Sequence, residues 1–136
     1  MPNFVESIGG LDDFLLYFIS SLALLAVFVA IYVRVTPYRE FALIRDGNLA
    51  ATASLSGALL GFIVPLASAV AHSVALWDMA LWGIIAMAAQ LLAYGAVRLI
   101  MPTIASDIPA GKIAPGAFLG VLSLGVGILN AASMTY

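Results

Sequence analysis

Four apolar runs alternate with short polar stretches along this chain. Phe14 to Val33 is the first, an uncharged run of roughly 20 residues, which at about 1.5 Å per residue spans the about 30 Å of a bilayer's hydrocarbon core. Leu49 to Ala71, Met79 to Val97 and Ile113 to about Thr135 follow. None alternates with the period of two that marks a half-buried strand, so the pattern predicts an all-α, polytopic membrane protein with four transmembrane helices. The first run lacks a basic leader, is too long for a signal-peptide core and is followed by no A-x-A site, so it reads as a retained helix. Met1 to Asp13 reads as a short polar tail, with Asp12 and Asp13 placed to meet the positive end of the first helix.

The polar stretches define the connections. Arg34 to Asn48, RVTPYREFALIRDGN, holds Thr36-Pro37, which should stop the first helix. Tyr38 to Ile44 has the makings of a short interfacial helix, and Asp46-Gly47-Asn48 is a turn signal, with Asn48 and Asp46 expected to cap the second span. Pro65 lies inside that span and should bend it. His72 to Asp78 is a tight connection, with Asp78 expected as the N-cap of the third span and Trp77 and Trp82 as interfacial markers. Arg98 to Lys112 is a second long joint, Pro115 falls in the first turn of the last span, and Tyr136 is an interfacial terminus.

Charge placement sets the orientation. Only 9% of residues are charged while 64% are hydrophobic, a composition that lipid accommodates and water does not. The five basic residues, Arg34, Arg39, Arg45, Arg98 and Lys112, all lie in the two long joints. The positive-inside rule places both joints in the cytoplasm and both termini outside. No cysteine is present, so thiol chemistry and disulfides are excluded.

The halves are related. A shift of 64 positions carries Val33-Arg34 onto Val97-Arg98, Ile44 onto Ile108, Gly47 onto Gly111 and Leu60-Gly61 onto Leu124-Gly125. This predicts two tandem two-helix repeats in the same orientation, residues 14–72 and 73–136, after a tail at 1–13. Apolar burial does not drive helices together in lipid; close backbone approach does. Ala53, Gly57 and Gly61 form a small-residue face on the second span, and Gly116, Gly120 and Gly127 one on the fourth. These two spans should form the packed centre and the glycine-free first span should face lipid. The two faces are out of register under the repeat, so the central contact should not be strictly two-fold.

The polar candidates are few. Gln90, mid-span, either makes an interhelical hydrogen bond or marks a solute path. Asn130 offers the same choice near the outer end of the last span. His72 and Asp78 flank the external turn, where one imidazole and one carboxylate fall short of a metal site. The basic residues anchor at lipid headgroups or present a cytoplasmic docking patch. There is no catalytic triad, metal-binding helix motif, phosphate loop or duplex-binding footprint, and no ionisable residue within a span. The reading is non-enzymatic, with no cofactor and no nucleic-acid partner.

The runs TPYREFALIRDGNLAATASLSGALLGFIVPLASA, RLIMPTIASDI and GILNAASMTY resemble the YjfL-type small bacterial inner-membrane proteins. That resemblance implies a duplicated domain of unknown function in the inner membrane and a link to envelope stress, and it supplies no catalytic residues. The expected role is a homo-oligomeric scaffold or regulator, with the lipid bilayer, itself and envelope-stress proteins as partners. The alternative is a small channel or solute facilitator with a polar path near Gln90 and Asn130.

Overall fold

The helices can be followed in a computed structural model that describes residues 3–135, the side chain of Ser7 excepted. In chain order they are α1 (Phe4–Gly9), α2 (Leu11–Val35), α3 (Glu40–Arg45), α4 (Leu49–His72), α5 (Leu76–Ile100), α6 (Ile104–Asp107) and α7 (Ile113–Ser133). The described residues contain no strand. Four helical segments, with α1 and α2 counted as one, are long and apolar enough to cross a membrane.

Local chemistry sets several boundaries differently from the hydropathy pattern. Within the polar amino-terminal tail, Phe4–Gly9 is helical, because Asn3 and Glu6 form a reciprocal capping box: Glu6 N–H donates to Asn3 Oδ1 at 2.8 Å and Asn3 N–H to Glu6 Oε2 at 3.2 Å. The third span begins at Leu76 with Ala75 at its N-cap, so Asp78 is not the cap. Asp78 instead sits in the first turn, where its charge meets the helix dipole. Asn48 alone caps α4, its Oδ1 accepting from Ala51 N–H at 2.9 Å, while Asp46 closes α3. The second joint contains α6. The terminal Tyr136 lies outside the described residues.

The two joints end in the same turn. Gly47 has φ 85° and Gly111 φ 80°, a left-handed conformation that glycine adopts without a Cβ clash. Each glycine is followed by an amide that reaches back to the short helix: Asn48 N–H to Leu43 O at 2.9 Å, and Lys112 N–H to Asp107 O at 3.0 Å. Asn48 Nδ2 also donates to Ile108 O at 2.8 Å, which fastens one joint to the other and puts both at the same end of the bundle.

The core is the α4–α7 seam. A side chain added at Gly116 would strike the Ala50 backbone, at Gly120 that of Ala53, at Gly57 that of Gly120, and at Gly127 that of Gly61. The pairs advance together along both helices, so α4 and α7 run parallel in near backbone contact. Pro65 lies buried within α4 and, lacking an N–H, leaves the Gly61 carbonyl without its intrahelical donor. Gly127 packs directly against that carbonyl. Helix α5 packs on both α4 and α7, and α2 lies on the outside of α4 and α5. Only Phe28 and Tyr32 of α2 are buried. Phe28 stacks on Phe62 at 4.5 Å, and Tyr32 meets Tyr94 edge-on at 5.8 Å.

Candidate functional site

The residues singled out by polarity fall into separate places. Gln90 is fully buried, and its Nε2 donates to the Ser123 carbonyl at 3.0 Å. It therefore bridges α5 to α7 beside the seam, where a side chain on Gly61 would meet its amide at 2.7 Å. Its Oε1 and the Ser123 hydroxyl have no hydrogen-bond partner. Asn130 is half-buried farther along α7, with its Nδ2 also unpartnered. His72 is exposed, with Nδ1 2.9 Å from Ser68 O of its own helix, and Asp78 is half-buried. Arg34, Arg39, Arg45, Arg98 and Lys112 are all exposed at the joint end. Lys112 pairs with Asp107 at 3.3 Å, and Thr103 Oγ1 donates to the same carboxylate at 2.9 Å. No group of three or more His, Cys, Asp or Glu that could hold a metal occurs among the described residues.

The most unusual polar group was not among those candidates. Glu40 opens α3 and is only 1% exposed, although its neighbours Arg39 and Phe41 are open to solvent. Thr36-Pro37 ends α2 and turns the chain back, so the first residue of α3 is carried under the end of the bundle. There it meets three phenols from three segments: Tyr32 near the end of α2, Tyr38 of the turn and Tyr94 of α5. Each of these is buried, Tyr38 the least so at 8% exposed. Neither carboxylate oxygen of Glu40 and none of the three hydroxyls has a hydrogen-bond partner. Tyr38 and Tyr94 approach one another, and Tyr94 approaches the Arg98 guanidinium, without reaching hydrogen-bond geometry. A groove of about 430 Å³, lined in part by Thr36, Tyr38, Arg39, Glu40, Phe41 and Arg45, leads to the carboxylate from outside.

Burial sets the electrostatics here. Desolvation pushes the Glu40 carboxyl up to about 7, and the nearby Thr36 side chain offsets only part of that. The Tyr38 phenol is raised as well, first by desolvation and then by the Glu40 charge. No basic side chain pairs with Glu40: the one ion pair among the described residues is Lys112–Asp107. In sequence Glu40 reads as half of a solvated Arg39-Glu40 pair, and no local signal marks it as buried. The sequence reading concerns ionisable residues within the spans and does not single out Glu40. Glu40 lies outside the four spans, on a helix that packs against α4.

Comparison with known proteins agrees with the architecture. Residues 5–134 match the family described as Domain of Unknown Function (DUF350). The chain is 42% identical over 120 residues to the UPF0719 inner membrane protein YjfL of Escherichia coli strain K12, covering 88% of this chain and 91% of that protein. The same identity and coverage hold for the YjfL protein of Escherichia coli O157:H7. No solved structure matches this chain.

Proposed function

Because this chain belongs to the DUF350 family and is a multi-pass inner-membrane protein, we propose that it works as a non-enzymatic, self-associating regulator or scaffold. Its working face is the joint end, turned to the cytoplasm. The observation that carries this reading is the closed interior. From Gly116 to Gly127, α7 lies so close to α4 that no side chain fits between them, and Gln90 seals the adjoining seam. A solute route through the middle of one copy has nowhere to run. All five basic residues and the two joint helices, α3 and α6, gather at one end, which suits a polar platform for a partner. The matching joint turns at Gly47 and Gly111, and the parallel course of α4 and α7, support two tandem units of like orientation, with residues 14–72 and 73–136 as the halves. Self-association draws support from the outer face of α5. There Leu92 and Leu99, 74% and 84% exposed, flank the small residues Gly95 and Ala96 at helical spacing, leaving a gap that a second copy fits. Envelope-stress proteins remain the partner class of choice.

A second reading, a small-solute facilitator, draws on the unpartnered Gln90 Oε1 on α5 and the unpartnered Ser123 Oγ and Asn130 Nδ2 on α7. Purified protein in liposomes separates the two. The scaffold reading expects no selective flux, self-association by single-molecule photobleaching, and loss of a partner complex when Arg39 and Arg45 become glutamine. Selective flux that Gln90→Leu abolishes in a folded protein would overturn it.

A further inference from the structure

A buried carboxylate paired with no cation is costly, and something must neutralise it. A proton on Glu40 would remove the charge but would satisfy little else. Five buried oxygens lack partners in this region: Glu40 Oε1 and Oε2, and the hydroxyls of Tyr32, Tyr38 and Tyr94, the phenols all within reach of the Glu40 charge. All belong to side chains at least nine-tenths buried. They come from α2, the turn after it, α3 and α5, so the cluster is assembled by the fold and not by one stretch of chain.

We propose that Glu40, Tyr32, Tyr38 and Tyr94 form a binding site for one monovalent inorganic cation, sodium or potassium, reached through the groove beside α3. The chemistry of the donors selects this class. Hard oxygen ligands favour alkali and alkaline-earth ions over zinc or copper, and the described residues hold no His–Cys–Asp–Glu cluster for a transition metal. A single carboxylate balances one positive charge, whereas calcium sites draw on several acidic ligands. The rings leave little room for an organic body: Tyr32 lies 5.5 Å from Phe28 and 5.8 Å from Tyr94 between centroids. The groove then supplies the path from water, with Thr36 and Tyr38 along it. The other charges facing the site are Arg98, beside Tyr94, and Arg39 and Arg45 on the groove wall. All three are exposed, so salt screens their repulsion of an approaching cation while the buried carboxylate keeps its pull.

The test uses the full chain in detergent or nanodiscs at pH 8, with N-methylglucamine chloride holding ionic strength constant. Radioactive sodium and rubidium, the latter standing in for potassium, report binding directly. Saturable binding of one ion per chain is expected for at least one of them. Glu40→Gln should weaken it by about tenfold or more, since a charge-assisted contact is lost. Tyr94→Phe and Tyr32→Phe keep the rings and remove one oxygen each, and should weaken it by a smaller factor. If Glu40→Gln fails to fold by circular dichroism, the two phenylalanine variants carry the test. Lowering the pH through about 7 should compete the ion off, because a proton and a cation exclude one another on Glu40. Absence of saturable binding to the folded wild type overturns the proposal. So does binding that the folded variants leave unchanged, or a site that answers to pH and to neither ion.

Discussion

Replacing Gly57 with alanine tests the α4–α7 seam most directly. The new methyl carbon would overlap the carbonyl oxygen, Cα and carbonyl carbon of Gly120, all of them backbone atoms that no rotamer change can move aside. The helices must part by roughly 1 Å, and a gap of that size forfeits about a quarter to a half of each dispersion contact across it. Several small-residue pairs share the seam, so the loss is not confined to one site: Gly116 with Ala50, Gly120 with Ala53 and Gly127 with Gly61 all loosen together. Overpacking of a tight contact typically costs about 1–3 kcal/mol, and the shared seam places Gly57→Ala at the upper end of that range. Gly125→Ala is the internal control. It lies on the partner helix α7, with nothing within 4 Å of its added methyl, so its effect should fall between neutral and the up to about 1 kcal/mol gained from better helix propensity. Reversible unfolding in mixed detergent, followed by circular dichroism and by the fluorescence of Trp77 and Trp82, measures both. Equal stability of Gly57→Ala and wild type, or equal losses for the two variants, would refute the backbone-contact account.

Three further outcomes are expected. Gln90→Leu should cost about 0.5–1.5 kcal/mol in the same assay through loss of the Ser123 hydrogen bond, with no change in liposome permeability. Asn48→Ala removes both the α4 cap at 2.9 Å and the cross-joint bond to Ile108 at 2.8 Å, and should cost about 1–3 kcal/mol, whereas Asn48→Asp keeps the cap and loses the cross-joint donor, giving a smaller loss by thermal unfolding. Glu40 titrates at about 7 in the folded protein against 4.5 for the free group, so the folded state binds its proton more tightly. Stability should therefore fall as pH rises from about 4.5 to about 7, by roughly 3 kcal/mol in buffer free of sodium and potassium, and Glu40→Gln should flatten that slope when melting temperature is followed from pH 5 to 8.

Local pattern and the bilayer as solvent account for the features that could be read from the residues in order. Spans of apolar residues must close their own backbone hydrogen bonds in lipid, so their number and helical state follow from hydropathy alone. The faces of Ala53, Gly57 and Gly61 and of Gly116, Gly120 and Gly127 were legible because small residues at helical spacing have a direct packing consequence. Helix ends were less so: Asp78 has the chemistry of a cap, yet Ala75 takes that position, because the start of α5 depends on how the tight turn after His72 leaves α4. The burial of Glu40 emerges only from packing in three dimensions. Its own neighbourhood, Tyr38-Arg39-Glu40-Phe41, reads as a wet interfacial segment, and the residues that enclose it, Tyr32 and Tyr94, stand eight and fifty-four positions away along the chain. Hydropathy sums over neighbours in sequence, whereas desolvation sums over neighbours in space, and at the end of this bundle the two differ most.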